Sequence, residues 1–159
     1  MKKIMYGVCG IGLGHTFRQL PIIEELAAHN IIFILAYKES YSFFKKHFKS
    51  NKQVSVHLVK VPYVVGNRHG LDFKATAKHP SNKDTNFLQH NSLLLHRLSK
   101  RVGKPDLVVT DYEPVSAQYA YMYDAPLITL DQQSKYLCGN FSSLLHGEGY
   151  RDEVKRLKL

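Results

Sequence analysis

Short apolar runs separated by stretches of helical spacing constrain this chain more than any other feature. Lys3–Cys9 carries Ile and Val and stops at glycines, the pattern of a buried strand. From Thr16 onward, Leu20, Ile23 and Leu26-Ala27 recur at helical spacing, with Glu24 and Glu25 on the other side. Pro21 fits such a helix if it opens near Phe17 or Arg18, because first-turn N–H groups have no intrahelical partner to lose. Ile31–Ala36 is the second apolar run, after a turn at Asn30. Ser40–Phe48 reads as a helix that buries Tyr41, Phe44 and Phe48 and turns Lys45, Lys46 and Lys49 to water. Val54–Val61 alternates like a strand with one wetter face. Residues 66–84 have no period and read as a long loop of the kind used for binding. Phe87–Val102 returns to helical spacing, Leu107–Thr110 is a strand, Pro114–Tyr123 a short helix, and Pro126–Leu130 another strand. Tyr150–Leu159 reads as the start of a final helix.

Such alternation predicts βαβ units: an α/β fold, a single Rossmann-like domain with a mostly parallel sheet and helices on both faces. Ligands of such sheets gather at the carboxyl ends of the strands. A length of 159 residues suits one core, and 44% hydrophobic residues excludes wholesale disorder. No window approaches the ~20 apolar residues that span a bilayer. The opening resembles a signal peptide only briefly, since its apolar run breaks at Gly10–Gly14 without a cleavage site. Cys9 and Cys138 read as reduced thiols of a cytoplasmic protein, and the acceptor-like triplet Asn140-Phe141-Ser142 as chance.

The formal charge of +9 is unevenly held. Between Lys38 and Lys104 there are 14 Lys and Arg against three acids, whereas the remainder holds 8 basic and 10 acidic residues. A basic block of this kind concentrates anionic partners or simply keeps a face solvated.

Between the first strand and the first helix stands Gly10-Ile11-Gly12-Leu13-Gly14-His15-Thr16-Phe17-Arg18. Glycines let backbone N–H groups approach an oxygen-rich ligand, and the helix start adds a partial positive charge. The spacing is G-x-G-x-G-H, with His15 where the dinucleotide fingerprint has its third glycine, and Glu39 comes late for the ribose acid. A nicotinamide site is therefore disfavoured, and the Walker pattern is absent. At a helix start the dipole favours the neutral imidazole, the state in which His15 acts as a general base; the alternative is a histidine that only hydrogen-bonds its loop. Arg18, one turn on, reaches a phosphate or pairs with an acid.

The stretch Met5-Tyr6-Gly7-Val8-Cys9-Gly10-Ile11-Gly12-Leu13-Gly14-His15-Thr16-Phe17-Arg18-Gln19-Leu20-Pro21-Ile22-Ile23-Glu24-Glu25-Leu26 resembles the opening of GT-B glycosyltransferases. It is most similar to bacterial relatives in cell-surface polysaccharide or teichoic acid synthesis, and more distantly to the GlcNAc transferase that forms lipid II. Pro105-Asp106-Leu107-Val108-Val109-Thr110-Asp111-Tyr112-Glu113-Pro114 and Ala125-Pro126-Leu127-Ile128-Thr129-Leu130-Asp131-Gln132-Gln133 are similar to the same group's later strands. The resemblance covers roughly Met1–Leu137 and implies an enzyme of two Rossmann-like domains with catalysis between them. The first domain holds the acceptor and supplies the loop histidine; the second holds the nucleotide-sugar. Residues 1–159 then correspond to the first domain only, and transfer requires a donor-binding domain or partner subunit that this chain lacks.

The resemblance also implies roles for residues. His15 deprotonates the acceptor hydroxyl, and Gly10, Gly12 and Gly14, with Arg18, cradle the acceptor or the donor's phosphates. Asp111 orients His15, with capping of the next helix as an equally good alternative. Glu113, more simply a first-turn helix acid, and Asp131, Gln132 and Gln133 line up as contacts to acceptor hydroxyls. No cofactor is implied. Nine histidines show no metal-ligand spacing, and His90 and His96 read as exposed helix positions. The expected partners are a sugar or lipid-linked acceptor, a nucleotide-sugar and an anionic inner membrane face, with no nucleic acid. A basic nucleic-acid-binding domain and one half of a GT-B-fold sugar-nucleotide epimerase are the alternatives.

Overall fold

A computed structural model describes residues 1–67, 70–83 and 86–130. In chain order the elements are β1 (Lys3–Val8), α1 (Gly14–Ala27), β2 (Ile31–Ala36), α2 (Lys38–His47), β3 (Val54–Leu58), β4 (Gly66–Asn67), β5 (Gly70–Leu71), α3 (Phe73–Lys78), α4 (Asn86–Arg101), β6 (Leu107–Asp111), α5 (Pro114–Tyr123) and β7 (Leu127–Thr129). They fall into two compact units, one of Met1–Val61 with Asn86–Leu130, the other of Pro62–Thr85 with residues 131–159.

The first unit is built on a five-stranded sheet in the order β3-β2-β1-β6-β7, parallel throughout. Because successive side chains of a strand point to opposite faces, β1 and β2 feed two separate cores. Met5, Phe33 and Leu35 pack under α4 and α5 with Leu94, Leu98, Val115 and Tyr119. Ile4, Tyr6, Ile32 and Ile34 pack under α1 and α2 with Ile23, Ala27, Phe44 and Phe48. Helices thus cover both faces, as the near-continuous apolar strands require. The chain winds from β1 outward to β3, then returns to place β6 on the other side of β1. The strand order reverses between β1 and β6, which makes the carboxyl ends of these two strands the natural ligand site.

The first helix opens earlier than its proline suggests. It begins at Gly14, so Pro21 lies inside it rather than in the first turn. The helix tolerates this because Thr16, Gln19, Ile23 and Ala27 bury one continuous face; packing outweighs the lost backbone bond. α2 likewise starts at Lys38, and β3 stops at Leu58, three residues before the expected end.

The second unit corrects the expectation of a structureless loop over residues 66–84. β4 and β5 pair antiparallel, and α3 follows, capped by Asp72, whose side chain accepts from the Ala75 N–H at 2.8 Å. A 3₁₀ turn at Pro80–Asn82 closes it. These elements are too short to show a period, so polar side-chain bonds, such as Asn82 to the Tyr63 backbone, define them instead.

Candidate active site

β1 and β6 lie in register with Val8 opposite Asp111, and the next N–H, of Cys9, donates to the Asp111 carbonyl at 2.9 Å. The two strands therefore deliver the glycine loop and the Asp111 side chain to one place. α1 leaves that loop with His15, Arg18 and Gln19 at positions i, i+3 and i+4, which share a helix face. All three converge on the Asp111 carboxylate, which is fully buried. His15 Nδ1 lies 3.0 Å from Oδ2, Gln19 Nε2 donates to Oδ2 at 2.8 Å, and Arg18 Nη2 donates to Oδ1 at 2.6 Å.

A carboxylate only accepts, so the Nδ1 position of His15 carries the proton, and in the neutral imidazole Nε2 holds the lone pair. Arg18 Nη2 is also 3.1 Å from His15 Nδ1. Both are donors in this arrangement, so that approach reflects two groups crowding one carboxylate rather than a bond between them. The imidazole is 23% exposed, and among the described residues its Nε2 takes no hydrogen bond. No side chain caps the start of α1, and its first turn holds no acid.

Among the described residues no buried side-chain nitrogen or oxygen lacks a hydrogen-bond partner. Burial, and secondly the Asp111 charge, push the Tyr6 phenol above its ordinary range, so it stays protonated. Its hydroxyl donates to Gln19 Oε1 at 2.5 Å, which turns the Gln19 amide so that its nitrogen faces Asp111. Sequence reading missed Gln19 and Tyr6. The four-residue step from His15 to Gln19 was the available signal for the first; nothing marked Tyr6.

The glycines divide by role. Gly10 is buried against α2's lead-in: a Cβ there would come within 2.0 Å of the Tyr37 carbonyl oxygen. Gly12 has φ +69°, and a Cβ at Gly12 or Gly14 would meet nothing within 4 Å. Gly10 is thus required by packing and Gly12 by backbone conformation, and only Gly12 and Gly14 border open space. The loop is tied to α2 by Ser40, whose hydroxyl donates to the Cys9 carbonyl at 2.6 Å and lies 2.6 Å from the Thr16 hydroxyl.

Asp111 does not cap α5. That role falls to Glu113, which is 1% exposed and accepts from the Val115 and Ser116 N–H groups at 2.8 and 2.7 Å. Both its oxygens face inward, so its carboxylate serves the helix rather than an acceptor. Burial raises its pKa to about 7, against the opposing pull of those N–H bonds. Asp131, Gln132, Gln133, Cys138 and the Tyr150–Leu159 stretch lie outside the described residues. His96 is exposed as expected, whereas His90 is half-buried with Nε2 2.9 Å from the Leu58 carbonyl oxygen. Among the described residues no three His, Cys, Asp or Glu side chains cluster as metal ligands, and no helix is long and apolar enough to cross a membrane. His15 is not among the residues lining the three hollows bounded by described residues.

Comparison with known proteins follows the same lines. No curated protein matches the chain. Among solved structures, Arabidopsis thaliana UGT89C1 complexed with UDP-L-rhamnose is similar at a TM-score of 0.56 and 13% identity, over 92% of this chain and 41% of that one. The same enzyme complexed with quercetin gives 0.51 and 11%, over 96% and 40%. Glycyrrhiza uralensis UGT73P12 complexed with glycyrrhetinic acid 3-O-monoglucuronide gives 0.47 and 22%, over 81% and 28%. The chain therefore spans less than half the length of these structures, and the Arabidopsis likeness is one of fold. A family model described as glycosyl transferase family 1 matches residues 2–148, nearly the whole chain. By that match, and with a doubly wound GT-B-type Rossmann-like sheet, the chain belongs to glycosyl transferase family 1.

Proposed function

We propose that this chain is the acceptor-side half of a nucleotide-sugar-dependent glycosyltransferase, with His15 as the general base. The observation that carries the reading is the bond from His15 Nδ1 to buried Asp111 at the β1–β6 switch point. With Nδ1–H held, Nε2 accepts the proton of an acceptor hydroxyl as that oxygen attacks the anomeric carbon. The sugar–phosphate bond breaks, the nucleoside diphosphate leaves with the electron pair, and the configuration inverts. The imidazolium formed is stabilised by the Asp111 carboxylate, as in a hydrolase triad. Gln19 and Arg18 keep that carboxylate fixed, and Gly12 and Gly14 leave the loop open to a ligand.

The donor is held by a second domain or subunit, and the isolated chain is inactive without it. The acceptor is a sugar or lipid-linked sugar of bacterial cell-surface polysaccharide or glycolipid synthesis. The basic block supports work at the inner face of a membrane, with the protein cytoplasmic and peripheral. Calorimetry tests the acceptor assignment. The chain should bind a lipid-linked sugar and take up uridine diphosphate at least tenfold more weakly. Tighter binding of uridine diphosphate than of any glycoside would assign this chain to the donor side instead.

A further inference from the structure

β3 is an edge strand, and the hollows beside it are lined by cations. One, of about 400 Å³, is bounded by Lys45, Lys49, Ser55, His57 and Arg101; its neighbour, of about 310 Å³, by His57, His90, Arg97 and Arg101. They share Val56, His57 and Arg101, and so form one trough running along β3. No carboxylate lines either part, and among the described residues none of Lys45, Lys49, Arg97 and Arg101 forms a salt bridge.

The cations come in two like-charged pairs. Arg97 and Arg101 are four residues apart on α4, whereas Lys45 stands in the last turn of α2 and Lys49 two residues past its end, both beside the same hollow. Like charges at the four-residue helical spacing repel. Helix dipoles favour cations at helix C-termini, which accounts for single charges but not for four around one hollow. Arg101 is fixed in place by lying over the Phe33 ring, 5.6 Å from its centroid, and His57 stacks on the same ring. Burial, and after it Arg101, Lys45 and Arg97, lower the His57 pKa to about 4, so His57 is neutral and the charge of the trough comes from the Lys and Arg side chains.

We propose that this trough is a phosphate-binding site, separate from His15 and two strands away from the β1–β6 switch point. Guanidinium forks match phosphate oxygens in bidentate fashion, and flanking ammonium groups add point charges. A ligand with two or more negative charges would offset both like-charged pairs together. The same chemistry is offered by a free diphosphate and by an anionic phospholipid headgroup.

The test titrates the full chain with inorganic pyrophosphate by calorimetry and, separately, sediments it with phosphatidylglycerol or phosphatidylcholine vesicles. Two double variants, Lys45→Gln/Lys49→Gln and Arg97→Gln/Arg101→Gln, are compared with His15→Ala, and thermal melts check that each folds. Pyrophosphate binding that weakens tenfold or more in both double variants, and persists in His15→Ala, supports a site for free phosphate. Phosphatidylglycerol-selective sedimentation with the same pattern of variants supports a headgroup site. Failure to bind either ligand overturns the proposal. So does binding that the folded double variants retain, or that His15→Ala alone abolishes, since the anion would then sit at the glycine loop.

Discussion

Asp111 Oδ2 lies 3.0 Å from His15 Nδ1, although 96 residues separate them in the chain. The pairing follows from topology. β1 and β6 are neighbours in register, one ends in the glycine loop and the other in the carboxylate, and α1 folds its first turn back over the junction. A buried carboxylate with three side-chain donors is a fixed acceptor, and the imidazole it holds has one tautomer.

Asp111→Asn tests that relationship without changing volume. The amide nitrogen would face at least one of the donors His15, Arg18 and Gln19, so the imidazole loses its fixed tautomer. In the complete enzyme kcat should fall by roughly 10²-fold or more, with KM for the acceptor little changed. Asp111→Ala should in addition destabilise the fold by about 1–3 kcal/mol, chiefly because the buried Gln19 amide is left without its acceptor while His15 and Arg18 can turn to water. Steady-state kinetics and chemical denaturation measure the two effects.

Gln19→Leu removes the link between Tyr6 and Asp111 while keeping the side chain's bulk. The buried Tyr6 hydroxyl is then left without its partner, at about 1–3 kcal/mol, while Asp111 keeps its bonds from His15 and Arg18. Denaturant midpoints should shift accordingly. Turnover should fall less than in Asp111→Asn, since His15 keeps its own bond.

The glycines of the loop should respond in a fixed order. Gly10→Ala drives a methyl into the Tyr37 carbonyl and should be the most destabilising. Gly12→Ala carries the cost of a left-handed residue, about 1 kcal/mol. Gly14→Ala meets no neighbour and lies at the first position of α1, so it should be neutral or slightly stabilising. Thermal melts of the three variants settle the order.

Much of this was legible beforehand. The apolar runs marked β1, β2 and β6 because these are covered on two faces. The outer strands β3 and β7 showed by their Val, Ile and Leu content although they are partly or largely exposed, and the glycines marked the loop because one backbone position needs positive φ. Pro21 points to a later start of α1 than the Gly14 observed, because the buried face of Thr16, Gln19 and Ile23 overrides the proline. The choice between cap and histidine partner for Asp111 stayed open because both roles use the same residue type at a strand end. In the fold Glu113, two residues on, takes the cap and leaves Asp111 free for His15, a division of labour that depends on where each side chain ends up rather than on residue type.

Glu113 makes stability depend on pH in an unusual direction. Its pKa is about 7 when folded, above its ordinary value of 4.5. The folded state therefore holds a proton that the unfolded state releases, and the stability this provides is present below about pH 4.5 and lost as pH rises through about 7. The contribution is on the order of a few kcal/mol. In Glu113→Gln this dependence should disappear, so the difference in melting temperature between wild type and variant should change steadily between these two pH values. A difference that stays constant across that range would mean that the carboxyl is ionised in the fold throughout.

The most direct measurement is kcat of His15→Ala, in the chain joined to its donor-binding domain or subunit, at saturating donor and acceptor. A general base at Nε2 predicts a fall of ~10²–10⁴-fold with the fold intact. A turnover within a few-fold of wild type would contradict the mechanism, because no proton acceptor would then be missing.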